Sequence, residues 1–261
     1  MAGASGGPIR SGEPADPGGA ACGGGAAWEA GRTVLVLGYS PLLFGDMAQL
    51  DAPIDFLTAY GCDVRTAGRD ALTERPALVW LVSAAGASAA EWLRSEYDVP
   101  VVRSLPLGDA GRTVWRAEIA AVLGLPIEGA CVEPTAGDVR ADKILVIADP
   151  IAAAAIDRLL RAYGFRNIRC AAYAWDEETV ALYRQAAARA DVLVFRTAAE
   201  LQSAWDAADA VVADPALLPA MGEKHIVPLP TGLLSGRDAA GEGSGVLGAD
   251  FASALDAFLK C

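Results

Sequence analysis

His225 is the sole histidine of the chain, in the run GEKHIVPLP. A catalytic triad or a histidine-based metal site needs an imidazole set among acids, thiols or hydroxyls. Nothing around His225 supplies that pattern, so a surface or strand-entry role is favoured. The cysteines stand at 22, 62, 131, 170 and 261. They are odd in number and widely spaced, with no CxxC pair, which indicates neither a disulfide framework nor a zinc site. Cys62 and Cys170 each lie just beyond a Tyr-Gly pair, at the start of or within a strand. Both read as buried small hydrophobes. Cys22, in CGGG, reads as an incidental thiol, Cys131 has no sequence neighbour with which to bind metal, and Cys261 reads as an exposed terminal thiol. No catalytic residue and no metal ligand is assigned.

Polar and small residues at the ends of apolar runs are the other chemical candidates. Gly38-Tyr39-Ser40-Pro41 follows the first such run. It is not GxGxxG, and no GKS or GKT follows, so nucleotide binding has little support. Ser83-Ala84-Ala85-Gly86 closes the run LVWLV, and a strand ending in a tight turn is where α/β proteins place their ligands. Asp149-Pro150 ends a third run, where aspartate suits a helix N-cap and proline the first helical position. Capping is favoured there over catalysis. Asp176-Glu177-Glu178 opens a helix, where acids complement the helix dipole, and Trp175 before it reads as a packing or rim residue. The ligand-cleft candidates are Gly38, Tyr39, Ser40, Ser83, Ala84, Asp149 and Pro150.

These turns are positioned by an alternation that starts at Thr33. Apolar, β-rich runs occur at Val34–Leu37, Val79–Val82, Pro100–Val102, Ile144–Ile147, Val192–Phe195, Ala210–Val212 and Ile226–Leu229. Their continuous apolar character suits strands covered on both faces. Helical patterns lie between or after them at Met47–Tyr60, Ala87–Glu96, Val114–Leu123, Ile151–Tyr163, Glu177–Ala190, Ala198–Asp206 and Phe251–Leu259. The reading is an α/β protein of two Rossmann-like domains, with mainly parallel sheets and a C-terminal helix. An internal echo supports two domains: Leu57-Thr58-Ala59-Tyr60-Gly61 and Leu160-Arg161-Ala162-Tyr163-Gly164 each close a helix that precedes a strand. Gly61 and Gly164 fit helix C-termini that need a positive φ. Residues 1–31 read as a disordered Gly/Ala-rich tail, 32–138 as the first domain, 139–233 as the second, and 234–261 as a Gly-rich loop with the last helix. Glu133–Asp142, polar and turn-rich, reads as the connection.

Composition sets the outer bounds. A net charge of −12 opposes binding to nucleic acid or to anionic lipid, both of which need a basic surface. No apolar run reaches the roughly 18 residues that span a membrane, and no basic-then-apolar leader is present, so a cytoplasmic protein is expected.

In order, VLVLGYSPLLFGD, FLTAYGCDV, EYDVPVVRSLPLG, KILVIADPIAAAAIDRLLRAYGF, ADAVVADPALLP and HIVPLPTGLL resemble the C-terminal two domains of a subunit from the component 1 family of nitrogenases and nitrogenase-like oxidoreductases. The likeness spans about residues 33–260. The family's N-terminal cluster-binding domain has no counterpart. The position of its cofactor cysteine falls on Val82, beside Ser83. The resemblance therefore implies a truncated non-catalytic or accessory subunit without its own cluster ligands. It implies no cofactor bound by this chain alone, with an iron–sulfur or tetrapyrrole group supplied through a partner. The implied partners are a homologous component 1-like subunit, as a homo- or heterodimer, and an ATP-dependent iron–sulfur reductase. The alternative is a stand-alone two-domain protein that binds a small molecule, a tetrapyrrole or a metallocofactor in the cleft between its domains. A degraded gene product without activity is the third reading.

Overall fold

Strands that are apolar along their whole length must be covered on both faces, and parallel pairing through helical crossovers does this. The computed structural model of the chain shows that solution twice. It describes residues 32–40, 44, 47–67, 74–126, 140–187, 192–214, 217, 224–229, 251, 255 and 257. The expectations for the N-terminal tail, Pro41, Cys131, Cys261, residues 133–139 and the Gly-rich loop lie outside the described residues.

The first sheet contains β1 (Thr33–Leu37), β2 (Asp63–Thr66), β3 (Leu78–Leu81) and β4 (Val101–Val102). All pairings are parallel, in the order β2-β1-β3-β4. A 3-10 turn (Met47–Leu50) leads into α1 (Asp51–Ala59); α2 (Ala87–Tyr97) and α3 (Gly108–Leu123) follow β3 and β4. Trp80, fully buried on β3, donates from its indole to the Ser104 carbonyl at 2.9 Å and meets the Trp115 ring of α3 with centroids 5.2 Å apart.

The second sheet contains β5 (Arg140–Ile147), β6 (Phe165–Tyr173), β7 (Leu193–Phe195), β8 (Ala210–Ala213) and β9 (His225–Pro228). These too are all parallel, in the order β7-β6-β5-β8-β9. Its helices are α4 (Pro150–Ala162), α5 (Glu177–Ala186) and α6 (Ala198–Ala207). Alternation along β5 divides its residues between two layers. Leu145 and Ile147 join Leu201 and Trp205 of α6 on one face, whereas Ile144 and Val146 belong to the larger core on the other. That larger core also includes Val34, Trp80 and Trp115, so buried apolar packing is continuous between the two sheets. Phe251 and Leu255, helical and buried, belong to it as well.

The architecture is thus α/β with two parallel sheets, as the alternation predicts. Gly61 and Gly164 take φ of 76° and 94° directly after the Tyr60 and Tyr163 caps. Strands β2 and β6 follow the two Tyr-Gly caps, as the internal echo predicts, although Asp63 and then Arg166, Asn167 and Arg169 leave exposed positions that set them apart from the seven apolar runs. Two boundaries differ from the sequence reading. Strand β5 begins at Arg140, so Asp142 is in a strand and not in the connection. Helix α3 begins at Gly108, ahead of the predicted start at Val114.

Candidate functional site

A doubly wound sheet has a switch point, where successive crossovers leave to opposite sides, and the crevice outside its strand ends is the usual ligand site. In the first sheet that point lies between β1 and β3; in the second it lies between β5 and β8. The residues that end these four strands are Gly38, Ser83, Asp149 and Asp214 with their neighbours.

At the first switch point the chains approach too closely for side chains. The Ser83 hydroxyl donates to the Gly38 carbonyl. Gly38 has φ of 83°, and a Cβ there would collide with the Ser83 backbone. A Cβ on Gly86 would lie 2.6 Å from the Gly38 nitrogen. Tyr39 and Ser40 are half-buried; the Tyr39 ring stacks on Phe44 at 6.0 Å, and the Ser40 carbonyl accepts from the Phe44 amide at 2.9 Å. The small residues of the turn Ala84–Gly86 therefore serve close packing against β1, with Ala84 and Gly86 buried.

The same turn reaches the second lobe. Asp149 caps α4: its Oδ1 accepts from the Ile151 amide at 2.9 Å, with Pro150 in the first turn. Its Oδ2 accepts from the Ala84 amide, also at 2.9 Å. Asp149 is buried, and burial pushes its carboxyl up to about 6 against the opposing pull of the Ala84, Ile151 and Ala152 amides. Tyr183 of α5 is buried close enough to sense it; burial raises its phenol first, and the Asp149 charge raises it further. Helix α5 packs against both α2 and the Ala84–Gly86 turn, and α3 packs against α4. The Gly108 backbone comes close enough to α4 that a Cβ there would lie 2.7 Å from Leu159 Cδ1.

The seven cleft candidates therefore fall into one connected group. Gly38 meets Ser83, Ala84 meets Asp149, Pro150 follows in the helix that Asp149 caps, and Tyr39 and Ser40 extend from Gly38 toward the surface. Sequence reasoning passed over Asp214, buried at the end of β8. The signal was present: Ala213-Asp214-Pro215 repeats Ala148-Asp149-Pro150 at the end of an adjacent strand. Cys62 and Cys170 are buried reduced thiols, Cys62 raised by burial against an opposing Arg32 charge, and Cys170 donating weakly to the Ala153 carbonyl. His225 opens β9. Among the described residues, no three His, Cys, Asp or Glu side chains gather where they could hold a metal ion.

No family model and no curated protein matches the chain. Among solved structures, it is similar to a putative aspartate carbamoyltransferase from Trypanosoma cruzi at 14% identity, covering 76% of this chain and 70% of that one, with a TM-score of 0.25. It is also similar to the aspartate transcarbamoylase of Trypanosoma cruzi in complex with phosphate, at 12% identity, 88% and 82% coverage and a TM-score of 0.27. Likenesses of that size carry nothing about activity. The resemblance to nitrogenase component 1 is corrected here: no family model and no curated relative supports a nitrogenase-like chain or a metallocofactor, and these two solved structures are transcarbamoylases. The physical reason is that the motifs behind that resemblance are generic. A positive-φ glycine after a helix, an Asp-Pro helix start and a small turn after a buried strand are needs of any parallel α/β lobe. The subunit partner, the iron–sulfur reductase and the partner-borne cofactor rested on that resemblance alone.

Proposed function

We propose that the chain is a stand-alone small-molecule binding protein, with its ligand at the joined strand ends of the two lobes. The observation that carries this reading is the convergence of both switch points on one place, linked by the Ala84–Asp149 hydrogen bond. The groups around that place are hydroxyls, backbone amides and the carboxyl of Asp214, with Asp149 committed to the Ala84 and Ile151 amides, on a chain of net charge −12. That chemistry favours a neutral or cationic polar metabolite over a phosphate ester, which calls for a glycine-rich cradle or basic side chains. Tyr39 and Ser40, half-buried beside Gly38, form the rim against which such a molecule would rest. The buried reduced thiols Cys62 and Cys170 suit a reducing compartment, and the cytoplasm is proposed as its location.

A thermal-shift screen of the full chain against amino acids, polyols, amines and nucleotides tests this. The expected result is stabilisation by a member of the first three classes, confirmed by calorimetry, with affinity reduced at least about tenfold by Tyr39→Ala, as for loss of one good contact. Stabilisation by nucleotides only, or binding indifferent to both Tyr39→Ala and Ser40→Ala, would remove the reading.

A further inference from the structure

We propose that the Asp149 carboxylate is a latch between the lobes, holding its own helix through one oxygen and the opposite lobe through the other. The two acceptors are separately committed: Oδ1 takes the Ile151 amide of α4, and Oδ2 takes the Ala84 amide at the end of β3. The cap needs only the first of these. The second crosses 65 residues of sequence and is buried on both sides.

Beside it, the contact of α2 with α5 is built largely from small residues, although the core behind it is shared by both lobes. The buried positions of α2 are Ala87, Ala90 and Leu93, and those of α5 are Thr179, Val180, Tyr183 and Ala186. Alanines bury little area, so a buried hydrogen bond weighs more here than in a leucine-rich seam. The turn cannot easily shift to another partner, because Gly38 and Gly86 fix it against β1 without room for side chains.

The groups that bear on Asp149 are few. Helix α5 presents Tyr183, the turn presents the Ala84 amide, α4 presents the Ile151 and Ala152 amides, and β8 ends beside β5 at Asp214. Opening the lobes would return the carboxyl to water and toward its ordinary 3.8 from about 6. By linkage, joining the lobes then takes up a proton between those values. Acidification from neutral pH favours the joined state, by a factor of at most about a hundred at a tenfold per pH unit.

The latch is independent of any ligand, and its test uses none. Ala84→Pro removes the donor and sets its ring Cδ against Asp149 Oδ2, while Oδ1 keeps its own donor in the α4 cap. Ser83 is already extended, at φ −152° and ψ 165°, as a residue before proline prefers. In the full chain, the Asp149 carboxyl carbon is titrated by NMR in wild type and in Ala84→Pro. If the bond joins the lobes, the variant hydrates Asp149 and its titration moves down toward pH 4. If the lobes stay joined without it, the carboxyl has lost a donor in a dry site and titrates at or above the wild-type value, which overturns the latch. Asp149→Ser provides a second route, since serine still caps a helix but is one atom shorter. There, amide exchange at Ala84 is expected to speed at least about tenfold while Ile151 remains protected; unchanged exchange at Ala84 would also overturn it.

Discussion

Asp149 sets two demands against each other in one side chain. Its neighbours in the chain want an anion to cap α4, while its burial disfavours one. Because its folded value is raised from 3.8 to about 6, the folded state binds the proton more tightly than the unfolded state. Its ionisation therefore costs stability as pH rises through that window, by up to roughly 3 kcal/mol, and the cost is fully present above it. Urea titrations at stepped pH should show wild type losing stability relative to Asp149→Asn between pH 4 and 7; parallel curves would contradict the burial argument. Gly38 makes a second prediction at this scale. Gly38→Ala combines a left-handed backbone with a collision against Ser83, and should cost about 2–4 kcal/mol in denaturation midpoint measurements. The cap at Asp149 was legible from sequence, since Asp-Pro is a local instruction to the backbone. The Ala84 contact was not, because nothing within several residues of either partner encodes it.

Helices and strands were legible to the degree that their own residues decide them. The runs TVLVL and LVWL are buried along their length and read directly as β1 and β3. Strand β6 begins FRNIR, with three exposed polar positions among its first five, so its periodicity is diluted until Cys170. The start of α3 was hidden for another reason. Pro106, Gly108 and Gly111 spell a loop, yet Gly108 lies so close to α4 that a Cβ there would be 2.7 Å from Leu159 Cδ1, so tertiary contact fixes those first turns. Beyond them, Trp115 anchors the helix: its ring meets Trp80 at 5.2 Å and Phe56 at 5.5 Å and is almost fully buried. Trp115→Ala should cost about 3–5 kcal/mol, the range for truncating a large core aromatic. Thermal unfolding would check this, and a loss under 1 kcal/mol would mean that the first sheet holds α3 by other means.

Across the whole molecule, buried packing runs without a break from Val34 and Trp80 through Ile151 and Ile156 to Phe251. The lobes should therefore melt together. Calorimetry should give one transition with equal calorimetric and van't Hoff enthalpies, and two resolved peaks would show that each lobe stands alone. The order in which these parts can assemble is fixed by the direction of the strands. Every pairing among the nine described strands is parallel, and β5 finds its neighbour β8 only across about 65 residues, Ile144 to Ala210. No hairpin can seed either sheet, and each strand must wait for a distant one to arrive at considerable entropic cost. During that wait, runs such as LVWLV are naked. Recovery after dilution from denaturant is accordingly expected to be slow and to decline as protein concentration increases, because during that interval sticky segments from different chains can meet before their own counterparts do.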